Sequence, residues 1–244
     1  MSSRPIIGIS LDTQDADQFS RKGIVYELPA AYALAVEMAG GVPMLLHHTG
    51  DSALRDAYMR TINGLLIPGG NDLDSSLYGQ APHVTSRRLD PRRQAFDLAM
   101  LALAQSLNVP VLGICFGCQA MNVHRGGSLH QYIPDLPRNP TIVHAGNPAN
   151  TTDKNAWHSV AVAPQSHLHA ILNAAELKVN SRHRQAIDRL GASLRASAVS
   201  PDGLVEAIED DSMKFWIGVQ WHAEGLRDPP HPQLFQAFVA AAAE

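Results

Sequence analysis

Apolar residues along the chain gather in short unbroken runs, and between the runs they recur at helical spacing. The runs "PIIGIS" (5–10), "VPMLL" (42–46), "GLLIP" (64–68) and "VPVLGI" (109–114) predict strands. The helical patterns between them are "LPAAYALAVEMAG" (28–40), stopped by Gly40 and Gly41, "DSALRDAYMR" (51–60), capped by its acidic first residue, and "RRQAFDLAMLALAQSL" (92–107). Strands apolar over their whole length are buried on both faces. Alternation with helices therefore predicts an α/β fold, a three-layer sandwich around a mostly parallel central sheet.

After Val123 the texture changes to Gly, Pro, Asn and His with no long helical pattern, which predicts short strands and loops. The segments 177–181, 194–200, 204–210 and 215–222 read as further strands, several with the apolar–polar alternation of antiparallel pairing, and 231–244 reads as a closing amphipathic helix. No internal repeat or low-complexity linker interrupts the 244 residues, so residues 1–244 are expected to form one domain.

Charge narrows the partners. The net charge is −4 with scattered basic residues, which builds no positive face for a polyanion, and nucleic acid is not expected as a partner. The N-terminus runs into a strand pattern without the apolar core of a signal peptide, and no run approaches the roughly 20 apolar residues of a membrane span. A soluble, cytoplasmic protein with no membrane partner is the expectation. A homodimer is left open, because apolar patches for an interface cannot be told from core positions by periodicity.

The candidate chemistry centres on "VPVLGICFGCQAMN" (109–122). Here an apolar strand, a Gly113-x-Cys115-x-Gly117 turn and a helical pattern make an elbow that would lift the Cys115 thiol to the end of the sheet, at a helix N-terminus that favours a thiolate. A thiol nucleophile needs a base, and the base an orienter. "VQWHAEG" supplies His222 and Glu224 two positions apart at the end of a strand pattern. In a parallel sheet both strand ends share one edge. The turn "PGGND" ends another strand, so the backbone N–H groups of Gly70 and Phe116 are the expected oxyanion donors. Other readings of Cys115 and Cys118 are a buried inert thiol, a redox C-x-x-C pair, and half of a zinc site. No histidine falls at the short spacing of structural zinc motifs, and no metal or organic cofactor is expected.

"PGGNDLDSSLYG", "GICFGCQAMNVHRGGSLHQ", "VNSRHRQAI" and "GVQWHAEG" together resemble the landmarks of the class I glutamine amidotransferase-like (flavodoxin-like) superfamily, in its gamma-glutamyl-gamma-aminobutyrate hydrolase branch. The resemblance implies a Cys115–His222–Glu224 triad, an oxyanion hole at Gly70 and Phe116, a substrate-facing Gln119, and Ser181 and His183 near the pocket. It implies hydrolysis of the gamma-glutamyl amide bond of a small gamma-glutamyl amine, as in polyamine catabolism, releasing glutamate and an amine. The partner would be a small-molecule gamma-glutamyl substrate.

Two positions depart from that branch. Phe116 stands where it often has Arg, which removes a cation from beside the pocket mouth. Ala223 stands where it usually has Pro, which leaves the base and its orienter less pre-set. These departures keep two alternatives in view: the same mechanism on a different gamma-glutamyl or small amide compound, and a non-catalytic binding or regulatory protein. Of the remaining polar residues, Asp72 and Asp74 read as caps of a turn or helix. His158, His167 and His169 read as surface or loop residues, and Cys118 as a helix residue able to form a disulfide with Cys115 under oxidation.

Overall fold

The computed structural model describes residues 4–15, 23–137, 141–145 and 155–244. Its elements run β1 (Ile6–Ser10), β2 (Asp12–Asp15), β3 (Ile24–Glu27), α1 (Ala30–Met38), β4 (Val42–Leu46), α2 (Ser52–Thr61), β5 (Gly64–Ile67), α3 (Pro91–Ser106), β6 (Val111–Ile114) and α4 (Phe116–His124). They continue as β7 (Leu129–His130), β8 (Ala156–Val162), α5 (His167–Leu172), β9 (Glu176–Ser181), β10 (Ala186–Ile187), β11 (Arg195–Val199), β12 (Val205–Glu209), β13 (Trp216–Val219) and α6 (Pro232–Ala243).

The main sheet has the order β4-β1-β5-β6-β13-β12-β11-β8-β9. From β4 to β13 every pair is parallel, and from β13 onward every pair is antiparallel. Every antiparallel strand of this order lies after the texture change at Val123, and β13, also after it, returns to pair parallel with β6. Successive residues of a strand serve opposite faces: on β5, Leu66 packs with α1, α5 and α6, while Leu65 and Ile67 pack with α2, α3 and α4. Helices thus cover both faces of one sheet, the three layers the alternation predicted.

Helix ends follow their local chemistry. The Asp51 carboxylate accepts from Ala53 N–H at 2.9 Å and starts α2. After α1, Gly40 takes φ +93°, a conformation that costs a side-chain-bearing residue strain, and the chain leaves the helix there.

The elements β2, β3, β10 and α5 were not read from the sequence. β2 and β3 pair antiparallel beside the main sheet. β8 alternates in burial, but a histidine stands at an inward position, and His158 is buried rather than in a surface loop. His167 and His169 lie on the short helix α5. Among the described residues, no helix is long and apolar enough to cross a membrane.

Candidate active site

Parallel pairing brings the proposed residues to one edge. β6 and β13 are neighbours in register Ile114 to Val219, and Cys115 N–H donates to the Val219 carbonyl at 2.8 Å. Cys115 itself carries the strain of the elbow, with φ 52° and ψ −103°, worth on the order of 1–3 kcal/mol and held by the packing around it. The flanking glycines act through space rather than through unusual dihedrals. A Cβ on Gly117 would stand 2.1 Å from the Ile67 carbonyl oxygen, and one on Gly113 2.6 Å from the backbone of Gly117. They let α4 close onto β5 and β6, and the thiol rides on that contact.

β13 ends at Val219, so His222 and Glu224 leave from a loop and a short 3-10 turn (Ala223–Gly225) rather than from the strand. They still meet: His222 Nδ1 and Glu224 Oε1 are 2.8 Å apart, and Glu224 is buried. This contact puts the proton on Nδ1 and leaves Nε2 for the thiol. Burial disfavours charge on the imidazole, yet the Cys115 sulfur, by charge and hydrogen bond, and then Glu224 push His222 up to about 9.

His222 is also fixed through its backbone. Asn180, at the end of β9, accepts from His222 N–H at 2.8 Å and donates to the His222 carbonyl at 3.0 Å. Ala223 therefore does not leave the loop slack, because a two-point amide clamp holds the residue before it. A third support is Tyr32 of α1. Its hydroxyl accepts from Gly69 N–H at 3.0 Å and lies 3.5 Å from His222 Nδ1. Burial first, then the Glu224 charge, raise this phenol well above its usual range, so it stays protonated.

The glycine turn after β5 is aimed from beneath by Arg93 of α3, a fully buried arginine. Its Nη2 donates to the Pro68 carbonyl at 3.1 Å and the Gly69 carbonyl at 2.8 Å. In a trans peptide the N–H points opposite the carbonyl. With Gly69 C=O tied down to Arg93, Gly70 N–H is turned the other way, toward the cleft it lines. Arg93 is itself paired with Asp97 at 3.2 Å and Asp12 at 3.0 Å, and burial pushes the Asp97 carboxyl up to about 6 against the pull of Arg93.

Phe116 is not at the pocket mouth. Its ring is buried, with the Arg93 guanidinium 4.9 Å from the ring centroid. Its backbone N–H opens α4, where the first turn has no intrahelical acceptor for such groups.

The cleft beside these groups has a volume of about 560 Å³, and its lining includes Asp12, Glu27, Tyr32, Gly69, Gly70, Trp157, Asn180, Arg182 and His222. The three expected substrate contacts are not in that lining. Gln119 is buried and donates to the Gln185 carbonyl and the Gln220 side chain. Ser181 is fully buried and donates to the His144 carbonyl, and His183 faces a buried group of histidines. The strand pleat explains the swap: Asn180 and Arg182 share one face, Ser181 and His183 the other. "NSRH" does reach the cleft, through the alternate residues.

Cys118 is a free, buried thiol packed against Gly218 of β13, and burial raises it well above its usual range. Asp72 accepts from Arg87 N–H and pairs with Arg184, and Asp74 caps the 3-10 turn Ser75–Tyr78, so both serve the loop.

Comparison with known proteins gives a consistent setting. Residues 5–224 match the Peptidase C26 family. The chain is 36% identical over 223 residues to protein NtpR of Enterococcus hirae, covering 90% of this chain and 91% of that one. It is 32% identical over 202 residues to the gamma-glutamyl-gamma-aminobutyrate hydrolase PuuD of Escherichia coli K12, covering 81% and 78%. In fold it is similar to the glutaminase domain of Trypanosoma brucei CTPS, solved with bound acivicin, at a TM-score of 0.67 and 19% identity over 98% of this chain and 94% of that one.

Proposed function

From the premise that this chain belongs to the Peptidase C26 family of glutamine amidotransferase-like hydrolases, we propose that it cleaves the gamma-glutamyl amide bond of a small gamma-glutamyl amine through a Cys115 thioester. The observation that carries the reading is the chain of contacts from Cys115 at its strained elbow to His222 and on to Glu224, beside a cleft of substrate size.

The steps follow from the groups in place. The Cys115 thiolate adds to the gamma-carbonyl, and the oxyanion forms against the N–H groups of Gly70 and Phe116. The His222 imidazolium gives its Nε2 proton to the leaving amine as the C–N bond breaks, which leaves a glutamyl thioester. His222 then takes a proton from water as that water attacks, and the C–S bond breaks to release glutamate and restore the thiolate. Glu224 keeps Nδ1 protonated throughout.

The cleft supports a glutamyl group in particular. Arg182, 3.7 Å from Glu224 Oε1 and with a 45% exposed side chain, turns a cation to the cleft for the α-carboxylate, while Glu27, and Asp12 beside its pairing with Arg93, offer acceptors for the α-ammonium. Trp157, exposed on the same cleft, gives an apolar surface for the leaving amine. The test is glutamate release from a panel of gamma-glutamyl amines and free glutamine, with Cys115→Ala beside the natural chain. Release from at least one panel member, abolished by the substitution, is the expected result. Equal release by both chains would overturn the Cys115 assignment.

A further inference from the structure

Four buried side chains with no part in that reaction converge on one point. His158 comes from β8, Glu206 from β12, His183 from the residues just after β9, and His144 from the stretch 141–145. Glu206 Oε1 stands 3.2 Å from His144 Nδ1, 3.4 Å from His183 Nε2 and 3.6 Å from His158 Nε2. Among the described residues, none of these four atoms finds a hydrogen-bond partner of acceptable geometry, nor does Glu206 Oε2. Buried polar atoms are nearly always satisfied, and several unsatisfied ones facing each other call for a ligand.

The outer nitrogen of each ring says which way the lone pairs point. His183 Nδ1 meets the Gln185 carbonyl at 2.9 Å, and His158 Nδ1 meets the Ser159 carbonyl at 3.1 Å. His144 Nε2 meets both oxygens of the Asp202 carboxylate, at 3.0 and 3.2 Å. Carbonyl and carboxylate oxygens only accept, so each outer nitrogen carries the proton. In the neutral ring the inner nitrogen is then a bare lone pair. Three lone pairs and a carboxylate oxygen around one point repel one another unless a cation sits among them.

The spacing fits such an ion. Bonds of about 2.0–2.1 Å in a tetrahedron set ligand atoms about 3.3–3.4 Å apart, and the three distances from Glu206 Oε1 bracket that value. N–H···O bonds cluster at about 2.7–3.2 Å, which two of the three exceed. Imidazoles backed by carbonyl or carboxylate acceptors are the outer shell that metal-binding histidines use. Nitrogen-rich ligands with one carboxylate suit a borderline divalent ion.

We propose that His144, His158, His183 and Glu206 bind one Zn²⁺ ion. The ion ties β8, the end of β9 and β12 to the 141–145 stretch. The same β9 end carries Asn180, which clamps His222. The site thereby braces the strand end that positions the base. Chain order concealed it, since its histidines lie far apart in sequence and come together only through the sheet.

The test is metal analysis of the purified full chain by mass spectrometry of the elements, with His183→Ala and His158→Ala beside it, followed by chelation and refilling with Zn²⁺ or Co²⁺. One zinc per natural chain is expected, with most of it lost in either variant. The melting temperature should fall on chelation and recover with Zn²⁺. Co²⁺ should give the intense visible bands of a tetrahedral site, which the variants lack. If a variant does not fold, the cobalt spectrum and the chelation shift of the natural chain decide alone. A natural chain that holds no zinc, gives no tetrahedral cobalt bands and melts at one temperature with or without added Zn²⁺ would overturn the site, leaving an imidazolium–carboxylate cluster. Zinc retained in full by folded His183→Ala would overturn it equally.

Discussion

Replacing Cys115 with alanine should lower the pKa of His222. In the natural chain His222 is pushed up to about 9 against an ordinary 6.5, so the surroundings favour the imidazolium by roughly 3 kcal/mol. Burial opposes that charge, and the largest favourable contribution is the Cys115 sulfur, ahead of Glu224. Without the sulfur, Glu224 alone faces the burial penalty, and the pKa of His222 falls. The sign also fixes the stability effect. A raised histidine adds stability that is complete below about pH 6.5 and is lost as the pH climbs through about 9, so the melting temperature of the natural chain should decline over that window more than that of the variant. The assay is a titration of histidine side chains by NMR on ¹⁵N-histidine protein, with His222→Gln to assign the signal. Cys118→Ala serves as a control, because that thiol faces Gly218. A His222 signal that titrates at the same pH with and without the Cys115 sulfur would refute the coupling.

Asn180→Ala removes both contacts to the His222 backbone, and kcat should drop about 10- to 100-fold with KM changed far less, read in steady-state kinetics. Gly117→Ala would put a methyl 2.1 Å from the Ile67 carbonyl oxygen, and denaturant melts should record a loss of about 1–3 kcal/mol or failure to fold. Arg93→Met removes the charge that opposes burial at Asp97, so that this carboxyl is protonated at neutral pH and its partner lost, and it frees the Pro68 and Gly69 carbonyls. Stability should fall by about 3–5 kcal/mol at neutral pH, and an accompanying Asp97→Leu should recover part of it.

β1, β5 and β6 were legible because they are buried and read as plain apolar runs; β4 reads the same way although it is the half-exposed edge strand. That Cys115, His222 and Glu224 come together was legible because each follows such a run, and parallel topology carries strand ends to a common edge. Register and parity were not. Asn180 and Ser181 are adjacent letters, but one clamps the His222 backbone and the other bonds inside the sheet, and only the pleat of β9 decides which. Arg93 and Tyr32 sit on helices as one more charged residue and one more aromatic. Their roles arise from contacts to the Pro68–Gly69 backbone that no spacing encodes. Phe116 illustrates a different limit: its identity suggested a lost cation, while the fold supplies a guanidinium against the ring from another helix.

The proposed reaction places the glutamyl group on Cys115 during turnover. The most direct measurement is to mix the protein with gamma-glutamyl-gamma-aminobutyrate, quench in acid within the first turnovers, and find the glutamyl mass by peptide mass spectrometry. A glutamyl adduct on the peptide holding Cys115 and Cys118, localised to Cys115 and absent from Cys115→Ala, is the predicted result. Glutamate released at the natural rate by Cys115→Ala, or the adduct found on another residue, would contradict it.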